Sequence, residues 1–320
     1  MTTFPRTHHI LLGVEVCTLL YTFFTSVLIL FFWSRMSSPL QLLEGRGFVV
    51  VGMAMLWIFF QVRPNKYILF LRYIFPLSLL GYWYPDTYEF CQLFPNLDHV
   101  FAAADAALFG CQPSITFSQW LPQKLWSELF HMGYFAYYPL IVLTVLAPLF
   151  GRKEQFSRTA FVVLASFFLY YLIYLFLPVA GPQYYFHAVG QEVIQSGHFP
   201  HMNDYFRYHT ELAISPGPDG FFRNLVESTQ QSGERPTAAF PSSHVGMSTV
   251  LMLLLWRNRR ILFYGALPFY FFLCCATVYI QAHYLVDVFG GLITAFVFFV
   301  LTNRAFDRYV VLLQPYNQKP

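Results

Sequence analysis

The chain has 320 residues, of which 57% are hydrophobic, 21% aromatic and only 11% charged, with a formal net charge of +3. A soluble domain carries about 25% charged residues, so this composition excludes a water-covered globule and requires lipid against much of the surface. The small net charge and the lack of any Lys/Arg run exclude a nucleic-acid footprint.

About 20 mostly apolar residues cross a bilayer, and eight segments approach that length. The first, 10–33, is longer than a signal core and has no small-residue cleavage site behind it, so it reads as a retained span. Next come 46–62 and 67–84, the latter interrupted by Arg72. A loop over about 85–125 follows, with Asp98-His99, the stretch Ala107-Leu108-Phe109-Gly110 and room for an amphipathic interfacial helix. The fourth and fifth spans are 126–150 and 159–180.

A second long loop, 181–242, is rich in Gly, Pro, Tyr and His, and loops of that length are usually functional or disordered. Within it, 219–231 has a helical pattern with Asp219 as N-cap after Pro218. A short sixth span, 243–257, precedes 261–281 and 284–303. The fold class is all-α: a polytopic membrane helix bundle of about eight spans, without internal repeats.

Lys and Arg concentrate in cytoplasmic loops. With the N-terminus inside, the short inner segments carry Arg6, Arg63, Lys66, Arg152, Lys153, Arg158, Arg257, Arg259, Arg260, Arg304, Arg308 and Lys319, twelve of the nineteen basic residues. The outer segments carry Arg35, Arg46, Lys124, Arg207, Arg223 and Arg235 over far more chain. Both termini are therefore expected in the cytoplasm and both long loops outside.

Five cysteines are too few for a disulfide scaffold. Cys274 and Cys275 sit in an apolar run, whereas Cys91 and Cys111 share the first long loop and are free to pair if it faces an oxidising compartment. There is no CxxC or clustered Cys/His set for zinc. The carboxylates of the second loop (Glu192, Asp204, Glu211, Asp219, Glu227, Glu234) have no magnesium-like pairing. No metal or other cofactor is expected.

Two histidines stand apart from the rest. His244 lies in Phe240-Pro241-Ser242-Ser243-His244 at the mouth of the sixth span, and His283 lies four residues before Asp287 at the mouth of the eighth. The sixth span runs one way, the seventh back, so both imidazoles face one side of the membrane. The i, i+4 spacing puts His283 and Asp287 on one helix face. There Asp287 can fix the tautomer and sharpen the other ring nitrogen as a nucleophile. Pro241 and Ser242 suit a helix start, whose backbone N–H groups favour an anion. A lone interfacial His, such as His131 or His187, is ordinarily just a tolerated polar residue. A single His-x3-Asp is a common accident. The agreement of order, spacing and side sets these residues apart.

At these positions the chain resembles the type-2 phosphatidic acid phosphatase superfamily, marked by Lys-x6-Arg-Pro, Pro-Ser-Gly-His and Ser-Arg-x5-His-x3-Asp. The second motif is Pro241-Ser242-Ser243-His244; the third is Ala276-Thr277, five residues, His283 and Asp287. The resemblance implies His283 as nucleophile, Asp287 as its orienter and His244 as the acid that protonates the leaving group. Thr277 replaces the family's phosphate-binding Arg. Pro178-Val179-Ala180-Gly181-Pro182-Gln183-Tyr184-Tyr185 stands in place of the first motif. These departures are similar to the inositol phosphorylceramide synthase-like branch, as are Ala239-Phe240-Pro241-Ser242-Ser243-His244, the stretch 105–114 and the aromatic run 134–138.

The expected activity is metal-independent phosphoryl transfer on a lipid phosphate or phospholipid through a phospho-histidine, and the branch resemblance implies a phosphorylated sphingolipid as product. A phosphatase acting on phosphatidate-like or polyprenyl diphosphate lipids needs the same histidines. A non-catalytic scaffold or a transporter is the reading of another class. With Thr277 in the Arg position, the candidate phosphate ligands are Arg235, Arg223, Ser242, Ser243 and Tyr184. The expected organisation is N-terminal spans over 1–66, a phosphatase-like membrane domain over 67–310 with its site at the exoplasmic interface, and a cytoplasmic tail over 311–320.

Overall fold

The computed structural model describes residues 11–313. Arg6, Lys319, the expected start of the first span at residue 10 and the tail beyond 313 lie outside the described residues. The described chain is helical with no strand, and its longest connection is 196–220. Its first part comprises α1 (Gly13–Phe31), α2 (Pro39–Val62), α3 (Lys66–Ser78), α4 (Leu80–Cys91), α5 (Asp98–Phe109) and α6 (Pro113–Trp120). The middle comprises α7 (Lys124–Phe135), α8 (Tyr137–Leu146), α9 (Phe156–Tyr174), α10 (Pro182–Val189), α11 (Gln191–Gln195) and α12 (Phe221–Gly233). It ends with α13 (Ser243–Asn258), α14 (Arg260–Tyr279) and α15 (Leu285–Leu313).

Six helices among the described residues are long and apolar enough to cross a membrane: Gly13–Phe31, Pro39–Val62, Lys124–Phe150, Lys153–Tyr174, Arg260–Tyr279 and Leu285–Arg308. They coincide with six of the eight expected spans. The protein is a polytopic helical membrane protein. Its outward faces expose Phe23, Phe31, Phe48, Val62 and Ile293, which suits lipid and not water.

The other two expected spans, 67–84 and 243–257, are not single helices of that length. The first is divided between α3 and α4, with Pro76 and Pro85 each removing a helical N–H donor. Helix α13 has only 16 residues. It still joins the two ends of the bundle: at its start Ser242 N–H donates to the Asp287 carbonyl, and at its end Asn258 donates to Thr159 Oγ1. The expected interfacial helix of the first loop is the pair α5 and α6, bent by 61°. Gly110 ends α5 in the left-handed region, at φ 70°.

Arg72 interrupts the third segment because it has a buried partner, Glu15, at 2.6 Å. Arg46 was expected in an outer loop; instead it sits inside α2, paired with Asp86 at 2.7 Å and bonded to Thr25 Oγ1 and the Leu42 carbonyl. Both pairs tie the N-terminal helices together where an unpaired charge would be costly. Cys91 is buried against the Tyr174 carbonyl and Thr237 Oγ1, and Cys111 is exposed beyond α5; both are free thiols.

Removing one member of a buried pair leaves an uncompensated charge, at a cost of about 3–5 kcal/mol. Asp86→Ala should therefore lower the thermal midpoint in detergent sharply. The double change Arg46→Met with Asp86→Leu should recover most of the loss. Equal destabilisation by single and double variants would mean that the pair contributes only through packing.

Candidate active site

The site forms where the starts of α13 and α15 meet. Ser242 begins α13, its Oγ accepting from the Val245 N–H at 3.3 Å. Its own N–H donates to the Asp287 carbonyl at 3.0 Å. Gly291 permits this approach, since a Cβ there would stand 2.5 Å from the Ser242 carbonyl oxygen. The sequence Ser242-Ser243-His244 thus lies beside the first turn of α15.

His283 sits in the turn between α14 and α15, 4% exposed. Its backbone N–H donates to the Thr277 carbonyl at 2.9 Å. Its Nδ1 lies 2.8 Å from the Ala239 carbonyl. A carbonyl only accepts, so Nδ1 carries the proton and Nε2 keeps its lone pair. Asp287 was expected to orient this ring. Its Oδ2 is 3.6 Å from Nδ1, beyond a hydrogen bond, and accepts instead from the Tyr284 N–H at 2.8 Å. Asp287 is a buried carboxyl group beside the imidazole, while Ala239 fixes the tautomer.

Two aspartates that sequence reasoning left without a role build the turn from below. Asp105, on α5, accepts from the N–H groups of Leu285 and Val286 at 2.9 and 3.0 Å, capping α15 from another element. Asp98 accepts from the Ala180 and Gly181 N–H groups at 2.7 and 2.8 Å and from the Tyr284 hydroxyl at 2.8 Å. Gly181 is required there: its φ is 95°, and a Cβ would stand 2.7 Å from the Ala282 carbonyl. The first amides of α15 are thus occupied by carboxylates and do not face an anion. The only sequence signal was two Asp residues inside an Ala-rich, otherwise apolar helix.

His244 is held by stacking. Its ring centroid is 4.6 Å from that of Tyr134, 4.6 Å from that of Tyr137 and 5.7 Å from that of His283. The two imidazoles are therefore edge-to-face neighbours. Ser243 adjoins it, buried.

Arg235 is exposed and its Nη1 donates to the Glu234 carbonyl. Tyr184 is buried nearby. Burial and then Glu234 raise its hydroxyl above the usual tyrosine value, and Arg235 offsets part of this. Arg223 is committed elsewhere: its guanidinium bonds Asp219, Glu227 and the Gly217 carbonyl. Helix α12 starts at Phe221, two residues later than expected, with Glu128 capping the N–H groups of Phe222 and Arg223. Thr277 Oγ1 donates to the Cys274 carbonyl, so the residue in the Arg position serves its own helix.

These features define an integral membrane protein with paired imidazoles at one end of a helical bundle. The chain belongs to the PAP2 superfamily, whose family model matches residues 100–301, a stretch that contains His244, His283 and Asp287. Membership makes it a lipid enzyme of the phosphatase or phosphotransferase type. No curated protein and no solved structure matches the chain.

Burial pushes His283 down to about 4, and its bond to Ala239 pulls back only in part. The protonated ring has no free lone pair. Activity requiring Nε2 is therefore present above that pKa and lost as pH falls through it. The acid limb of kcat/KM should lie nearer pH 4 than the ordinary histidine value. A midpoint near about 6.5 would place a solvated imidazole in control.

Proposed function

We propose that this protein is a metal-independent lipid phosphotransferase working through a phospho-histidine on His283. The observation that carries this reading is the Nδ1–H bond to Ala239, which leaves Nε2 bare with His244 across the gap. A phospholipid phosphodiester enters between the rings. Nε2 attacks phosphorus in line, the bond to the leaving oxygen breaks with its electron pair, and His244 donates a proton to that oxygen. An arriving anion favours the imidazolium form that this step needs. The acceptor hydroxyl then gives its proton to His244 and attacks phosphorus, releasing His283.

Charge on the phosphoryl oxygens has to be met by fixed donors. Arg235, the Tyr184 hydroxyl and the Ser242-Ser243 start of α13 are the donors assigned to this task. The contacts of Arg223 make it a loop anchor in this reading. The catalytic unit spans 67–310, with the N-terminal spans before it. The Lys/Arg distribution supports an exoplasmic site and cytoplasmic termini. Similarity to the inositol phosphorylceramide synthase-like branch favours a sphingolipid acceptor; water in its place would give a phosphatase.

The test is purified wild type against His283→Ala, mixed with phosphatidylinositol and fluorescent ceramide in EDTA. Wild type should form a new polar fluorescent lipid and His283→Ala none. His244→Ala should lose roughly 10²–10⁴-fold. Complete loss of wild-type activity in EDTA, restored by magnesium, overturns the metal-free mechanism. Hydrolysis of the donor without transfer assigns a phosphatase.

A further inference from the structure

One ionisable side chain faces a cavity beside the histidines without an ionic partner. Glu234, just past α12, lines a cavity of about 380 Å³ together with His244, Tyr84, Tyr138, Ile141 and Phe167. Its Oε2 accepts from the Tyr84 hydroxyl at 2.8 Å. Among the described residues, no other hydrogen bond and no ion pair engages the carboxylate. Arg235 bonds only the backbone carbonyl of Glu234. Burial raises the carboxyl above its ordinary value, offset in part by Tyr84. A half-satisfied carboxyl group in such a place is costly unless a ligand completes it.

The cavity touches His244 and not His283. In-line displacement puts the nucleophile on one side of phosphorus and the leaving or entering oxygen on the other. The His244 side is therefore where an alcohol departs and another enters. The cavity walls suit a lipid alcohol: Ile141 and Phe167 are apolar, whereas Glu234 and Tyr84 are polar. A carboxylate oxygen accepts hydrogen bonds and offers none.

We propose that this cavity receives the acceptor, a lipid alcohol bearing a second hydrogen-bond donor, hydroxyl or amide N–H, near its reacting hydroxyl. The proposal rests on the phosphotransferase reading. The reacting hydroxyl sits at His244 and the second donor on Glu234. In transfer, the hydroxyl proton passes to His244 and the new O–P bond forms. The His283 Nε2–P bond breaks, its electron pair returning to nitrogen. Glu234 takes no proton; it selects the acceptor. A diacylglycerol, with one hydroxyl flanked by ester oxygens, leaves the carboxylate unmatched.

The experiment gives wild type, Glu234→Gln and Tyr84→Phe phosphatidylinositol as donor. The acceptors are a fluorescent N-acyl sphingosine and a chain-matched fluorescent diacylglycerol, with donor hydrolysis followed in parallel. Wild type should prefer the N-acyl sphingosine. Glu234→Gln should lose about tenfold or more in kcat/KM for it, the scale of a hydrogen bond to a charged group. Diacylglycerol transfer and hydrolysis should change little, and Tyr84→Phe should fall between. Binding of the labelled N-acyl sphingosine to His283→Ala, with and without Glu234→Gln, reads the same contact without turnover. An unchanged acceptor preference and unchanged binding overturn the proposal, as does equal loss on both acceptors and water. If wild type transfers to neither acceptor but hydrolyses the donor through His283, the acceptor site falls and the phospho-histidine stands. If His283→Ala is as active as wild type, the underlying reading falls instead.

Discussion

The hydrogen bond from His283 Nδ1 to the Ala239 carbonyl joins the two loops on which the site depends. A backbone carbonyl cannot reverse roles as a hydroxyl can, so the tautomer is fixed by the fold itself. That gives the segment before α13 a chemical task. Its path is set by Ser242 bonding Asp287 and by the Tyr174 hydroxyl bonding the Pro241 carbonyl at 2.7 Å. Asp287 then stands beside the ring without supplying the bond. From 3.6 Å away, its carboxyl group holds the turn at Tyr284.

The turn also needs support from outside its own helices. Asp98 and Asp105 reach it from α5 and satisfy six donors between them, counting Asn96. Neither has an ion-pair partner among the described residues, and N–H and O–H dipoles carry the whole stabilisation. Donors of this kind fix direction as well as charge, and the His283 turn depends on direction. The N-terminal helices handle charge differently. Arg46–Asp86 and Arg72–Glu15 are ion pairs deep between helices, where the need is to bind helices together in lipid.

Spans of full length were plain in the sequence because hydropathy reports the transfer of whole helices into lipid. The broken segment at Pro76 and Pro85 and the short α13 were less so, since packing inside a bundle substitutes for length. The motif histidines were legible from order and side. The role of Ala239 was not, because a backbone carbonyl has no residue signature. Asp98, Asp105 and Arg46 were obscured for a related reason. Their partners lie tens of residues away in sequence, and only the folded chain brings them together. Arg223 shows the converse: a loop Arg near the site reads as a phosphate ligand until Asp219 and Glu227 are seen around it.

The loss of the family Arg at Thr277 bears on which phosphate the site prefers. A phosphomonoester near neutral pH carries close to two charges, a phosphodiester one. The described site offers one exposed guanidinium, at Arg235, and several neutral donors, with the Asp287 carboxylate close behind His283. Such a field meets one charge more readily than two. The same balance matters for the nucleophile, which has to be neutral before attack and positive afterwards. A strong cation in place of Thr277 would help the phosphate but oppose the second requirement. The Thr277 hydroxyl, turned to its own helix, does neither. In the proposed reaction, the substitution therefore favours a phosphodiester donor over a phosphomonoester.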